Sequence, residues 1–221
     1  MQLTVLQLAH SPYCIPITRT LDALGVPFGI CEVSNADRRA VIEATGGAYY
    51  QVPVLIHDGR VVHESSGDSI DIPRYVDRVF AGGRLFPAKF EGLQRILVPH
   101  IEEDIEGVTF RLVDPSYLRD IANPVERAMI RRHKERKFGP GCVEQWGRER
   151  EALLAHAGVL LGPFDLMLGE SPFLLGEVPV FSDFALYGIL GNLTYRGYNR
   201  IPEQFTRLTD WFARLGAFRF D

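Results

Sequence analysis

The sequence predicts an α/β domain followed by an all-α domain. Three observations carry that expectation. Through residue 80, short apolar runs of strand length alternate with helical stretches in the order βαβαββα. The segment Ala81-Gly82-Gly83-Arg84-Leu85-Phe86-Pro87 then breaks the alternation with turn-forming residues. Beyond it strand signals almost vanish and apolar positions recur at helical spacing. The expected domains are residues 1–80 and 88–221, joined by that linker.

Residues 3–8 form an apolar run expected as a buried strand, and residues 15–24 an amphipathic helix. Gly25-Val26-Pro27 turns the chain into a second strand over 28–33, also expected to be buried. Residues 37–45 are helical and stop at Gly46-Gly47. Strands over 54–57 and 60–63 flank Asp58-Gly59, a two-residue hairpin signal, and a helix then runs to about residue 80. After the linker, residues 89–107 have helical periodicity with a kink expected at Pro99. Asn123-Pro124-Val125-Glu126 is a helix start, with Asn as N-cap and Pro at the first helical position. That helix ends at Gly139-Pro140-Gly141, and further helices are expected over 143–161, 182–195 and 204–215.

Bulk composition narrows the function classes. The chain has 221 residues, 46% hydrophobic and 24% charged, ordinary for a soluble globular protein. A net charge of −4 gives no reason to expect nucleic acid. No apolar segment approaches the roughly 20 residues needed to span a bilayer, and the start lacks the basic region of a signal peptide. Three cysteines, Cys14, Cys31 and Cys142, are too few and odd in number for a disulfide framework. They point to a reducing compartment, so a cytoplasmic protein is expected. His10, His57 and His63 lack partners at ligand spacing, and no metal site is expected.

The chemistry concentrates at Ser11-Pro12-Tyr13-Cys14, between the end of a strand and the start of a helix. Free N–H groups and the helix dipole favour an anion there, thiolate included. Pro16 places the helix start near residues 12–15, because proline is tolerated best in the first turn.

A two-domain chain with these motifs resembles the cytosolic glutathione S-transferase family, in which a thioredoxin-like N-terminal domain precedes an all-α domain. Ser11-Pro12-Tyr13 followed by Gly25, Val52-Pro53-Val54-Leu55, Asp58-Gly59 and Leu85-Phe86-Pro87 fall in the family's order. Phe173-Leu174-Leu175-Gly176 followed by Ser182-Asp183-Phe184-Ala185-Leu186 is similar to its late buried helix start. Three features depart from the pattern. Val180 stands where the late helix has Ser or Thr, so its capping box is missing or shifted to Ser182. The acidic-Ser motif occurs twice, as Glu64-Ser65 and Asp68-Ser69. The run from Arg131 to Lys137 is unusually basic.

The resemblance implies roles for particular residues. Ser11 would hydrogen-bond the sulfur of glutathione and favour its thiolate, and the competing role for Ser11 is a helix N-cap. Cys14 would be a rival thiol able to form a mixed disulfide, or a small core residue; no cysteine at position 11 completes a dithiol. Pro53 is expected in the cis form, exposing the Val52 backbone to a peptide-like ligand. Of the two acidic-Ser pairs, Asp68-Ser69 is the better holder of the γ-glutamyl end, since a helix starting at Ser65 would put Pro73 in its third turn. Glu64-Ser65 then lies at the rim and can share the role. Arg38 or Arg39 is a candidate for the glycine carboxylate. The basic run is either a solvated face with an Arg131–Glu135 pair or a source of cations for the cleft. Cys142 is structural. The implied function is conjugation of glutathione, as cosubstrate, to a small apolar electrophile by a homodimer. The alternatives are a glutathione-dependent thiol reductase using Cys14 and a non-catalytic binding module.

Overall fold

The first domain of the computed structural model, which describes residues 1–221, is built on a mixed four-stranded sheet of order β2-β1-β3-β4. β1 (Leu3–Gln7) runs parallel to β2 (Gly29–Glu32) and antiparallel to β3 (Val54–His57); β3 pairs antiparallel with β4 (Arg60–Val62). The two central strands carry the apolar burial, with Val5, Val54 and Leu55 fully inside. At the hairpin, Asp58 and Gly59 have φ of 47° and 82°, the paired positive values that a two-residue turn requires. α1 (Cys14–Ala23), α2 (Arg39–Ala44) and α3 (Asp71–Val76) complete the βαβαββα order.

β2 corrects one expectation. It is an edge strand, so it pairs on one side only. Ile30 is 54% exposed and Cys31 only partly covered, where a buried strand was expected.

The linker is anchored in the helical domain. Asp77 accepts the Leu85 N–H at 2.9 Å, and the Leu85 carbonyl accepts the Phe181 N–H at 2.9 Å and the Gln94 side-chain N–H at 3.0 Å. Leu85 and Phe86 are buried there.

The helix expected over 89–107 is longer. α4 (Glu91–Pro99) passes through a wide turn, His100–Ile105, into α5 (Glu106–Asp120). Pro99 has no N–H to donate, and the rod accommodates it by widening. In that turn the Glu106 N–H reaches the Ile101 carbonyl five residues back, a π-type bond. α6 (Pro124–Phe138) starts as expected, with the Asn123 side chain accepting the Val125 and Glu126 N–H groups. The single helix expected over 143–161 is two, α7 (Cys142–Arg148) and α8 (Arg150–Met167), broken where Glu149 has ψ of 10°. The break lets Trp146 pack edge-on against Phe110 and Phe138. No helix is long and apolar enough to cross a membrane.

α9 (Phe181–Leu193) is the buried axis of the domain, and α10 (Thr206–Ala217) packs on it. Its start keeps half a capping box. Asp183 accepts the Val180 N–H at 3.0 Å, the Leu174 N–H at 2.9 Å and the Trp211 indole N–H at 3.0 Å. Val180 offers no side-chain oxygen, and Ser182 does not replace it: its N–H goes to Gln94, and its buried hydroxyl has no partner. α9 also fixes α1. A Cβ on Gly188 would lie 2.3 Å from the Pro12 carbonyl oxygen and 2.5 Å from Pro16, so only glycine permits this approach. The end of α10 and the segment after it return to the first domain. The Arg19 guanidinium donates to the Leu215 carbonyl at 2.9 Å and to that of Phe218, and the Phe220 N–H reaches the Ala23 carbonyl at 2.8 Å.

Candidate active site

A cleft of about 720 Å³ separates the domains. One wall comes from Tyr13, Gln51, Val52 and the loop from Glu64 to Ile70; the other comes from α4, the π-type turn and α5. The Val52–Pro53 bond is cis, and no hydrogen bond within the chain engages the Val52 N–H or C=O. That peptide therefore borders the cleft with its donor and acceptor free. Pro53 lies beside Tyr13, Glu64 and Ser69 at the cleft's inner edge.

Glu64, Asp68 and Ser69 all line the cleft. Asp68 accepts the Ile70 N–H at 3.1 Å. Ser65 faces away: its N–H donates to Asp71 at 2.8 Å, as does that of Ser66. Asp71 thus folds the Ser65–Ser66 turn over the start of α3. The cleft gathers both acidic residues but only the second serine of the two motifs.

Ser11 and Cys14 are not among the residues that line the cleft; Tyr13 is. Ser11 is 7% exposed, and its Oγ accepts the Tyr13 and Cys14 N–H groups, both at 3.3 Å. It therefore caps the turn into α1, keeping its own O–H to donate. Cys14 has no exposed surface and packs with Leu6, Leu8, Val41, Val52 and Val54. Burial pushes its thiol up to about 11, against the smaller pull of Ser11. Of the two roles left open for Cys14, this geometry is that of the small core residue, with the side chain packed away from the cleft.

The helical wall is acidic, where an apolar cosubstrate surface was expected. Glu102, Glu103 and Glu106 line it, with Val98 and Pro99 among its few apolar members. Glu102 accepts a short hydrogen bond from the Ser69 hydroxyl, and its backbone carbonyl lies 3.5 Å from the Tyr13 hydroxyl. Burial raises Glu102 to about 7, Ser69 pulls it down, and Glu64, Asp68 and Glu106 push it further up. Glu106 also reaches about 7 through burial, against the pull of Lys134. Burial likewise raises Glu64 and Tyr13. Two carboxyls able to exchange a proton near neutrality thus face one cavity. The sequence reading missed both. The acidic cluster Glu102-Glu103-Asp104 with Glu106 was the available signal, but only the turn of α4 into α5 shows which of them face inward.

The basic run divides. Arg131 pairs with Glu144 and Arg132 with Glu135, correcting the Arg131–Glu135 pair; Lys134 lies 2.6 Å from the buried carboxylate of Asp114. Lys137 reaches the cleft. Arg39 is held by Asp37 and Arg38 by Asn35. His10 is neutral at pH 7: burial, with Lys134 and Arg38 nearby, lowers it to about 4. No group of three or more His, Cys, Asp or Glu side chains is placed to hold a metal ion.

The fold and cleft define a thioredoxin-like domain joined to a helical domain, with a ligand groove between them. Residues 7–83 match the family described as glutathione S-transferase, N-terminal domain. The chain is 28% identical over 197 residues to the probable glutathione S-transferase GSTU6 of Oryza sativa subsp. japonica, covering 87% of this chain and 73% of that protein. The glutathione transferase GSTFuA3 from Phanerochaete chrysosporium superposes with a TM-score of 0.82 at 17% identity, covering 100% of this chain and 98% of that one. Glutaredoxin 2 from Salmonella typhimurium, solved in complex with glutathione, superposes with a TM-score of 0.74 at 20% identity, covering 96% and 92%. The matched domain makes residues 7–83 similar to the N-terminal domain of glutathione S-transferases, and the fold shared with GSTFuA3 extends over the whole chain.

Proposed function

We propose that the chain binds glutathione in the interdomain cleft and conjugates it to an electrophile. The observation that carries this reading is the free Val52 peptide edge beside Asp68 and Ser69. A peptide-like ligand can add to that edge as a strand, its ammonium meeting Asp68 and its carboxylate meeting Ser69. In this proposal the Ser11 O–H, left to donate while its Oγ accepts two N–H groups, is the thiol-activating donor, with the ligand sulfur entering past the cleft-lining Tyr13. The acidic helical wall favours a polar electrophile over the apolar one first expected. The proposal extends to a homodimer, for which the exposed Val79, Leu93 and Ile96 supply apolar surface. The reductase alternative is disfavoured by the burial of Cys14, and the binding-module alternative is separated by turnover.

Isothermal titration tests binding first. Glutathione is expected to bind in the micromolar to millimolar range, roughly −4 to −8 kcal/mol. Asp68→Ala is expected to weaken binding more than Glu64→Ala, and the reverse order would move the ammonium site to Glu64. Ser11→Ala should cut turnover of a generic aryl halide at least about tenfold, near 1.4 kcal/mol in the barrier, with Cys14→Ala close to wild type. Binding without turnover would favour the module, and no binding would refute the proposal.

A further inference from the structure

Ser69 is the one serine of the two acidic-Ser motifs that lines the cleft, and it is already engaged. Its hydroxyl donates to Glu102, 33 residues further along the chain and on the opposite wall. Glu102 is carried there by the π-type turn that follows Pro99. That turn is braced against the first domain by the Tyr13 hydroxyl at the Glu102 carbonyl. A carboxylate of the protein therefore holds the hydroxyl that the glutathione reading gives to a carboxylate of the ligand. The serine has one proton to donate, so the two acceptors exclude each other.

We propose that Glu102 is an internal occupant of the carboxylate subsite, which a ligand must displace from Ser69 before it can be held. The inference rests on the glutathione reading above and adds a brake to that site. Displacement leaves Glu102 in a wall it shares with Glu103 and Glu106, facing Glu64 and Asp68 across the cleft, with Lys137 as the cation on the α6 side. The other cations lining the cleft, Arg74 and Arg95, are paired with Glu91, so the displaced carboxylate exchanges its serine for a wall of like charge and the cost falls on ligand affinity. A charge-assisted hydrogen bond is the kind worth displacing only for another of equal strength. The cleft thus rejects weak or neutral acceptors at Ser69 and admits a true carboxylate.

Titration of glutathione into wild type, Glu102→Ala, Glu102→Gln, Ser69→Ala and the Glu102→Ala/Ser69→Ala double variant tests this, with circular dichroism confirming folding. Glu102→Ala is expected to tighten binding at least about tenfold, the scale of one charged hydrogen bond released. Glu102→Gln, which keeps the size and loses the charge, is expected in between. Ser69→Ala should cost less than about threefold in wild type, where the hydroxyl is already engaged, and at least about tenfold in the Glu102→Ala background. Wild-type binding with Glu102→Ala equal or weaker overturns the brake and leaves the glutathione reading standing. Equal costs of Ser69→Ala in the two backgrounds overturn it as well. No binding by any variant removes both.

Discussion

Cys14 has no exposed surface, and the partly exposed Cys31 lies on an edge strand. Reactivity of a thiol follows thiolate fraction and access together. Both factors turn against Cys14, whose thiol burial pushes up to about 11. A short iodoacetamide pulse at neutral pH, read by mass spectrometry, should therefore label Cys31 well before Cys14, with glutathione making no difference at Cys14. Preferential labelling of Cys14, with protection by glutathione, would restore the reductase alternative. The sequence placed both cysteines correctly in their elements, one at a helix start and one in a strand. It could not show which way the first turn of α1 faces, nor that β2 lies at the sheet edge, because both depend on what packs alongside. Ser11 was legible for the opposite reason. A serine three residues ahead of the Cys14 N–H caps it by local geometry alone.

The π-type turn between α4 and α5 has an energetic signature of its own. Glu102 and Glu106 titrate near 7 in the folded chain, against 4.5 when unperturbed. Between those values the folded state holds more protons than the unfolded one, so each group withdraws stability as pH rises from 4.5 to about 7. His10, lowered to about 4, acts in the opposite sense over the lower part of that range. The informative quantity is therefore the difference between wild type and the Glu102→Gln/Glu106→Gln variant. By differential scanning calorimetry the variant should melt progressively higher than wild type as pH rises, by roughly 2–4 °C for each kcal/mol relieved. A constant offset across pH would show that these carboxyls are not strained by their surroundings. Elements with local signals were readable in advance. The Asp58-Gly59 turn and the Asn123 cap each depend on a few adjacent residues. A disturbance at Pro99 was readable from the missing N–H, though not its form as a π-type turn. The break at Glu149 was not readable, because helical periodicity is nearly the same on both sides of it and only contacts with neighbouring helices decide the direction.

Across the whole molecule, the helical domain sets the position of the site's first turn. α9 meets α1 at Gly188, with no room for a Cβ between it and Pro12. Gly188→Ala should push the Ser11–Tyr13 segment away from α9, lowering stability by about 1–3 kcal/mol and weakening glutathione binding together. A stability loss with unchanged affinity would show that the cleft does not depend on that contact. The two-domain layout was legible because every strand signal lies before the linker at residues 81–87. The interlocking was not, since it joins residues far apart in the chain.

That interlocking has a consequence for synthesis. Arg19 finds its acceptor 196 residues later, at Leu215. At about 5–20 residues per second, the ribosome delivers that acceptor roughly ten to forty seconds after α1 has emerged. For most of that interval the outer face of α1 has no α9 to cover it, and residues 215–220 arrive last. The first domain is thus finished by the second, and a nascent chain stalled anywhere before α9 displays the face that the completed protein hides.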